Sequence, residues 1–358
     1  MLSLAVIALA VSSAFAQKDG PAPALNPNPT DTTNPRLVGK AFPYNALPPM
    51  VDTSSSPRGT QQGYNLCNST TEGQNSLCQT LIVNDLTDFC LWAPPVMKVI
   101  GDSEGEVVAW CTKKGHGTRL IPAGTITGAQ FIKTPSYIEF TGYIKQENLN
   151  VPTGDFGGEL DSGGQDNRGN PIGGVAYSNN MPATSGQITQ ARVWHEFIGG
   201  NMFCMKFCDN TAPNAAGICR HTLDTVGCNI NVPAAYQDNV FLACEGDDQA
   251  PVALTNTAIP ASRNCKTFAS TDLWPDLPAP TAAPPPPSST AGASTTAGGA
   301  SQTGKPGGNT ASKPGSSGTT SAEGTSPTDG TGAASSVRSA SYFVVAAVAG
   351  LIGAAVFA

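Results

Sequence analysis

The chemistry this sequence offers is concentrated in one glycine-rich stretch, TGDFGGELDSGGQDNRGNPIGG, which opens at Thr153 and closes at Gly174. It carries Asp155, Glu159, Asp161, Asp166 and Asn167 in close succession. Hard oxygen ligands on a turning backbone suit Ca2+, which gathers about 6–8 oxygens. Asp155, Glu159, Asp161 and Asp166 are therefore the metal-ligand candidates, and Ca2+ is the one cofactor candidate. The EF-hand order of ligands is missing, so a solvated acidic turn competes with that expectation. Glu159 and Asp161 also have the make-up of a glycosidase pair. On a strand, residues i and i+2 share a face about 7 Å apart, inside the ~6.5–9.5 Å of inverting enzymes. Two acids on a single loop are thin support for that chemistry.

Other constellations weigh less. Asp161-Ser162-Gly163-Gly164 has the look of a serine-protease nucleophile segment, but Leu160 stands where the first glycine belongs. A triad also needs a base within reach, and His116 lies in a Gly-His-Gly context too close in sequence. Cys204-x3-Cys208 with His195 or His221 has the elements of a zinc site, yet in a chain with 10 cysteines and 3 histidines a disulfide framework explains it more simply. Lys113, Lys114, His116 and Arg119 form the one basic cluster and read as a solvated turn before they read as an anion site. Trp92, Trp110 and Trp194 could stack on sugar rings, although Trp110 and Trp194 sit in strand patterns and read as core. No catalytic or cofactor-binding residue is assigned.

The elements that would position these residues are strands. Glu106 to Cys111, Gln130 to Lys133, Tyr137 to Tyr143, Val175 to Tyr177, Gln187 to Ile198 and Met202 to Phe207 are rich in β-formers and bounded by turn residues. Helical signal is confined to Asn214 to Thr225, with Ile218, His221 and Leu223 on one face. The fold class is all-β or β-rich α+β, a single disulfide-braced domain with disordered flanks. Cys67, Cys78, Cys90 and Cys111 form one even group; Cys204, Cys208, Cys219, Cys228, Cys244 and Cys265 form another. Pairing within groups is open, and spacing does not choose the partners. Asn68-Ser69-Thr70 is the one acceptable N-glycosylation sequon.

The chain divides by composition. Residues 1–16 read as a signal peptide with an A-x-A-like cleavage site. Residues 17–60 are a proline-rich arm, expected to be extended and partly packed through Phe42, Tyr44 and Leu47. Residues 61–275 are the cysteine-rich domain. Residues 276–341 are a stalk; from Ala279 to Ser341, 55 of 63 residues are Ala, Gly, Pro, Ser or Thr, too few apolar groups to offset chain entropy. Ser/Thr-rich segments of this kind carry O-linked sugar. Residues 342–358 are an uncharged apolar tail preceded by a polar spacer and small residues, which is a GPI signal with attachment at Gly332, in the range Gly330 to Ala334. A spanning anchor fits less well, because crossing a bilayer takes ~20 apolar residues. The net charge of −7 and pI near 4.9 exclude an ordinary nucleic-acid binder.

Several blocks together resemble a family. They are Phe89-Cys90-Leu91-Trp92-Ala93-Pro94-Pro95, the run from Gly105-Glu106 to Ile121-Pro122, Gly158-Glu159-Leu160-Asp161 with Gly169-Asn170-Pro171-Ile172-Gly173-Gly174, and Phe203-Cys204 through Cys208. The combination is similar to secreted fungal proteins labelled "macrofage activating glycoprotein", over roughly residues 64 to 250. The resemblance implies a fungal secretory glycoprotein and transfers no catalytic residue.

The reading that follows is a secreted protein on the outer face of the plasma membrane or in the cell wall, held by a GPI anchor. It acts as a non-catalytic binding or display module for cell-wall polysaccharide or a cell-surface partner, and meets the membrane through lipid alone. The alternative is an extracellular glycan-active hydrolase.

Overall fold

The computed structural model describes residues 36–55, 57–223 and 225–280. The signal peptide, nearly all of the stalk, the apolar tail and Gly332 lie outside the described residues. Among the described residues thirteen strands follow in chain order: β1 Thr80–Asp85, β2 Asp88–Ala93, β3 Val108–Cys111, β4 Arg119–Leu120, β5 Ile126–Lys133, β6 Tyr137–Ile144 and β7 Gly158–Asp161. Then come β8 Val175–Ser178, β9 Thr189–Ala191, β10 Val193–Gly199, β11 Met202–Cys208, β12 Phe241–Gly246 and β13 Ser262–Thr267. They form a 6-stranded sheet, β4-β3-β2-β1-β8-β9, and a 7-stranded sheet, β13-β12-β5-β6-β11-β10-β7. The chain is β-rich, as its strand-forming runs predict.

Aromatic residues hold the two sheets face to face. Phe89 of β2 stacks on Phe140 of β6 with centroids 4.9 Å apart, and Trp92 of β2 lies 4.2 Å from Trp194 of β10. Such pairs add about 0.5–1.5 kcal/mol beyond the area they bury. All three tryptophans considered for sugar stacking are interior, with Trp92, Trp110 and Trp194 at most 4% exposed.

In β11, MFCMKFC, Phe203, Met205 and Phe207 face the other sheet while Cys204, Lys206 and Cys208 point outward, since successive side chains alternate. The outward face is buried as well. Cys204–Cys228 and Cys208–Cys219 pin the excursion between β11 and β12 across it, with Val232 packed on Cys204 and Cys228. Cys67–Cys78, Cys90–Cys111 and Cys244–Cys265 complete five disulfides, every one within its sequence group, and no cysteine is left free. Disulfides of this density belong to oxidising compartments.

One local reading changes. The helix expected from Asn214 to Thr225 is the single turn α1 Ala215–Ile218. Asn214 enters it in the left-handed region, the Cys208–Cys219 bridge holds its far end, and Val252 N–H bonds to Gly217 C=O there. The described part of the arm packs on the domain through Phe42, Tyr44 and Leu47, as expected, and Leu37, Val38 and Val51 are buried besides, with Asp52 ion-paired to Arg168 at 2.9 Å.

Candidate functional site

The site grows from β7, an edge strand with the sequence GELD. Alternation sends Leu160 into the core, fully buried, and turns Glu159 and Asp161 to the outer face. Two glycines allow the close approach this requires. A Cβ on Gly157, whose φ is +90°, would lie 2.0 Å from the Ile198 carbonyl oxygen, so only glycine lets β7 begin against the end of β10. A Cβ on Gly163 would lie 2.3 Å from His221 Cε1, so this glycine makes room for the imidazole over the loop.

Asp161 is heavily engaged. Its Oδ1 accepts the N–H groups of Gly163 at 2.6 Å and Gly164 at 2.8 Å, and His221 Nδ1 lies 2.9 Å from it. Glu159 Oε1 sits 3.1 Å from His195 Nδ1. Burial pushes the His195 pKa well below its ordinary value, and nearby Lys206 and His221 push the same way. The ring is therefore neutral, and its proton is assigned to Nδ1 by the carboxylate it faces.

A line of polar residues continues across the sheet beneath the disulfide-pinned excursion. His195 is opposite Asp161 on one side and Lys206 on the other, and Lys206 is opposite Glu139. Burial raises the Glu139 pKa to about 7, against the pull of Lys206, and lowers that of Lys206 to about 8, against the pull of Glu139. The Lys206 ammonium donates to Asn231 C=O at 2.9 Å and to Gln249 Oε1, and lies 5.0 Å from the Tyr137 ring centre. These bonds are the condition for burying a charge at all.

Glu159 and Asp161 open onto a cavity of ≈330 Å³ whose lining includes Glu104, Asn170, His221 and Thr222. The other two calcium candidates are committed elsewhere. Asp155 accepts the Ile100 N–H at 2.8 Å and the Gly157 N–H at 3.0 Å. Asp166 pairs with Arg58 at 2.6 Å and with Arg168 at 3.5 Å. Among the described residues no group of three or more His, Cys, Asp or Glu side chains is arranged to hold a metal ion.

The remaining motifs resolve as structure. Ser162 is fully buried and its hydroxyl accepts the Trp194 N–H at 3.4 Å, while His116 lies 2.6 Å from Asp88, so the two form no triad. Lys113 pairs with Asp88 and Lys114 with Asp276; Arg119 is buried against Trp110 and donates to the Ser76 and Pro95 carbonyls. The basic cluster is thus largely spent within the fold. Asn68 is exposed, its side-chain oxygen held by Thr70. Sequence reading missed Glu104 and Arg58 altogether and placed His221 on a helix face; no local pattern marks any of them as a neighbour of Glu159.

The chain is 45% identical to appressorium protein ROW1 of Mycosarcoma maydis over 187 residues, covering 52% of this chain and 44% of that one. It is 35% identical to appressorium protein ROW2 of the same fungus over 253 residues, 65% of this chain and 86% of that one. It therefore spans less than half the length of the first relative. No family model matches the chain, and no solved structure matches it. The fungal side of the resemblance stands. The label it came with is corrected, because these relatives are named for the appressorium and not for macrophage activation.

Proposed function

The chain belongs to the family of these fungal appressorium proteins, and from that premise we propose that it is a cell-surface protein whose sandwich binds cell-wall glycan without cleaving it. The ≈330 Å³ cavity beside β7 carries this reading. Ordinary small-molecule pockets are mostly apolar. This one presents Glu104, Glu159, Asp161, Asn170, His221 and Thr222, a mixed set of donors and acceptors. Sugar hydroxyls, each both donor and acceptor, match such a lining. Binding without cleavage is favoured by Asp161, whose Oδ1 is occupied by two backbone N–H groups and His221. A general acid or base must exchange a proton freely.

Secretion, sugar at Asn68, a GPI anchor at Gly332 and a stalk over 276–341 complete the proposal. Five disulfides support the secretory part. The partner would be wall polysaccharide or a cell-surface glycan. The test is co-sedimentation of the full secreted chain with a panel of insoluble fungal and plant polysaccharides. Retention without released product supports the reading; no retention on any of them removes it.

A second reading rests on one observation. Glu159 and Asp161 share a face of β7 and line one cavity, as the two acids of an inverting hydrolase would, about 7 Å apart. Released oligosaccharide that disappears in Glu159→Gln would replace binding by hydrolysis.

A further inference from the structure

We infer that the cavity beside β7 is one half of a longer groove that takes a linear, hydroxyl-rich polymer across two subsites, with Glu104 between them. A second cavity of ≈340 Å³ is lined by Arg58, Gln62, Gly101, Asp102 and Ile172. Glu104 and Gln165 line both cavities, so the two adjoin at these residues. Each lies at the low end of the ~300–1,000 Å³ of small-ligand pockets.

The partition between them is polar and light. Gln165 Nε2 donates to Glu104 Oε2 at 2.8 Å, and Asn170 Nδ2 donates to the same oxygen at 2.9 Å. Asn170 is buried and fixes the carboxylate; Gln165 is exposed and can swing aside. A net hydrogen bond of this kind is worth only about 0.5–1.5 kcal/mol, and a sugar hydroxyl can replace it.

Charge narrows the class. Among the described residues Arg58 is the one cation lining the second cavity, and it is committed to Asp166, the Gly169 carbonyl and Asn170. Asp102 and Glu104 line the same cavity, and Glu106 there already pairs with Lys98, so an anionic polymer would meet carboxylates and no uncommitted cation among the described lining residues. The polymer is therefore neutral or carries amines.

The inference rests on the glycan reading, and chain length separates the two. Calorimetry on the full secreted protein would compare two-unit and six-unit oligomers of β-1,4-N-acetylglucosamine, β-1,3-glucose and β-1,4-glucose. The six-unit member of the binding series should bind about tenfold more tightly, the gain from one or two further hydrogen bonds. Gly101→Trp fills the second cavity, since a Cβ there meets nothing within 4 Å. It should cancel the tenfold gain and leave two-unit binding unchanged. Gln62→Trp, at an exposed position lining the same cavity, should do the same and guards against a folding defect in the first variant. Equal affinity for both lengths, or a gain that survives in both variants, overturns the groove while the glycan reading stands. Absence of binding by every oligomer at either length overturns both.

Discussion

Glu196 of β10 reaches across the interior of the sandwich, and its two carboxyl oxygens lie 3.0 and 3.1 Å from the backbone N of Trp92 on β2. It is fully buried, and burial raises its pKa well above 4.5, against the opposing effect of the Trp92 N–H. The folded state keeps this proton where the unfolded chain gives it up. Stability from this group is therefore fully present below about pH 4.5 and is lost as pH rises toward the folded pKa. Glu196→Gln, a copy of the protonated form, should raise Tm at pH 7 and leave it unchanged at pH 4. Thermal melts across that range check the slope.

His195 works in the opposite direction. Its folded pKa lies well below 6.5, so the unfolded chain binds a proton that the folded state refuses. Its contribution is present above about pH 6.5 and is lost as pH falls below it. His195→Gln should flatten the fall in Tm between pH 6.5 and pH 5, whatever its effect at pH 7.

Lys206 and Glu139 face each other on the buried outer surface of the larger sheet, and both are at most 2% exposed. Removing one partner leaves a charge with no route to water. Lys206→Met should cost about 3–5 kcal/mol, and Lys206→Met with Glu139→Gln should cost clearly less. Denaturant unfolding of both variants gives the coupling.

The excursion that covers this surface depends on Cys208–Cys219 and Cys204–Cys228. Bridges closing loops of this size stabilise by about 3 kcal/mol each. Replacing Cys208 and Cys219 by Ser should speed hydrogen exchange in β11 and around His221, and weaken glycan retention through loss of His221 from the cavity.

The sequence reveals elements better than neighbours. β6, β10 and β11 announce themselves by β-branched and aromatic runs, and the even cysteine groups anticipate within-group pairing. The double-sided burial of β11 is harder to see, because Lys206 reads as a surface residue until Glu139, Asn231 and Gln249 are known to meet it. In the site, Glu159 and Asp161 stand out by local density of acids. Their partners do not, because strand register sets His195 beside β7, where it meets Glu159, and a disulfide-bound turn brings His221 to Asp161 Oδ1. Such long-range contacts have no periodicity to read. Arg58 and Asp52 hold the glycine-rich loop from a segment whose composition speaks only of proline and polar residues.

The proposed function requires glycan to occupy the cavity beside β7. Nuclear magnetic resonance mapping of the isotope-labelled protein, titrated with N-acetylglucosamine and β-1,3-glucose hexamers, tests it most directly. Saturable shifts are expected at Gly163, Gly164, Asn170 and Thr222, and are expected to vanish in Glu159→Gln. Shifts confined to the exposed apolar residues Val96, Met97, Val99 and Phe156, the last 87% exposed, with none beside β7, would contradict it.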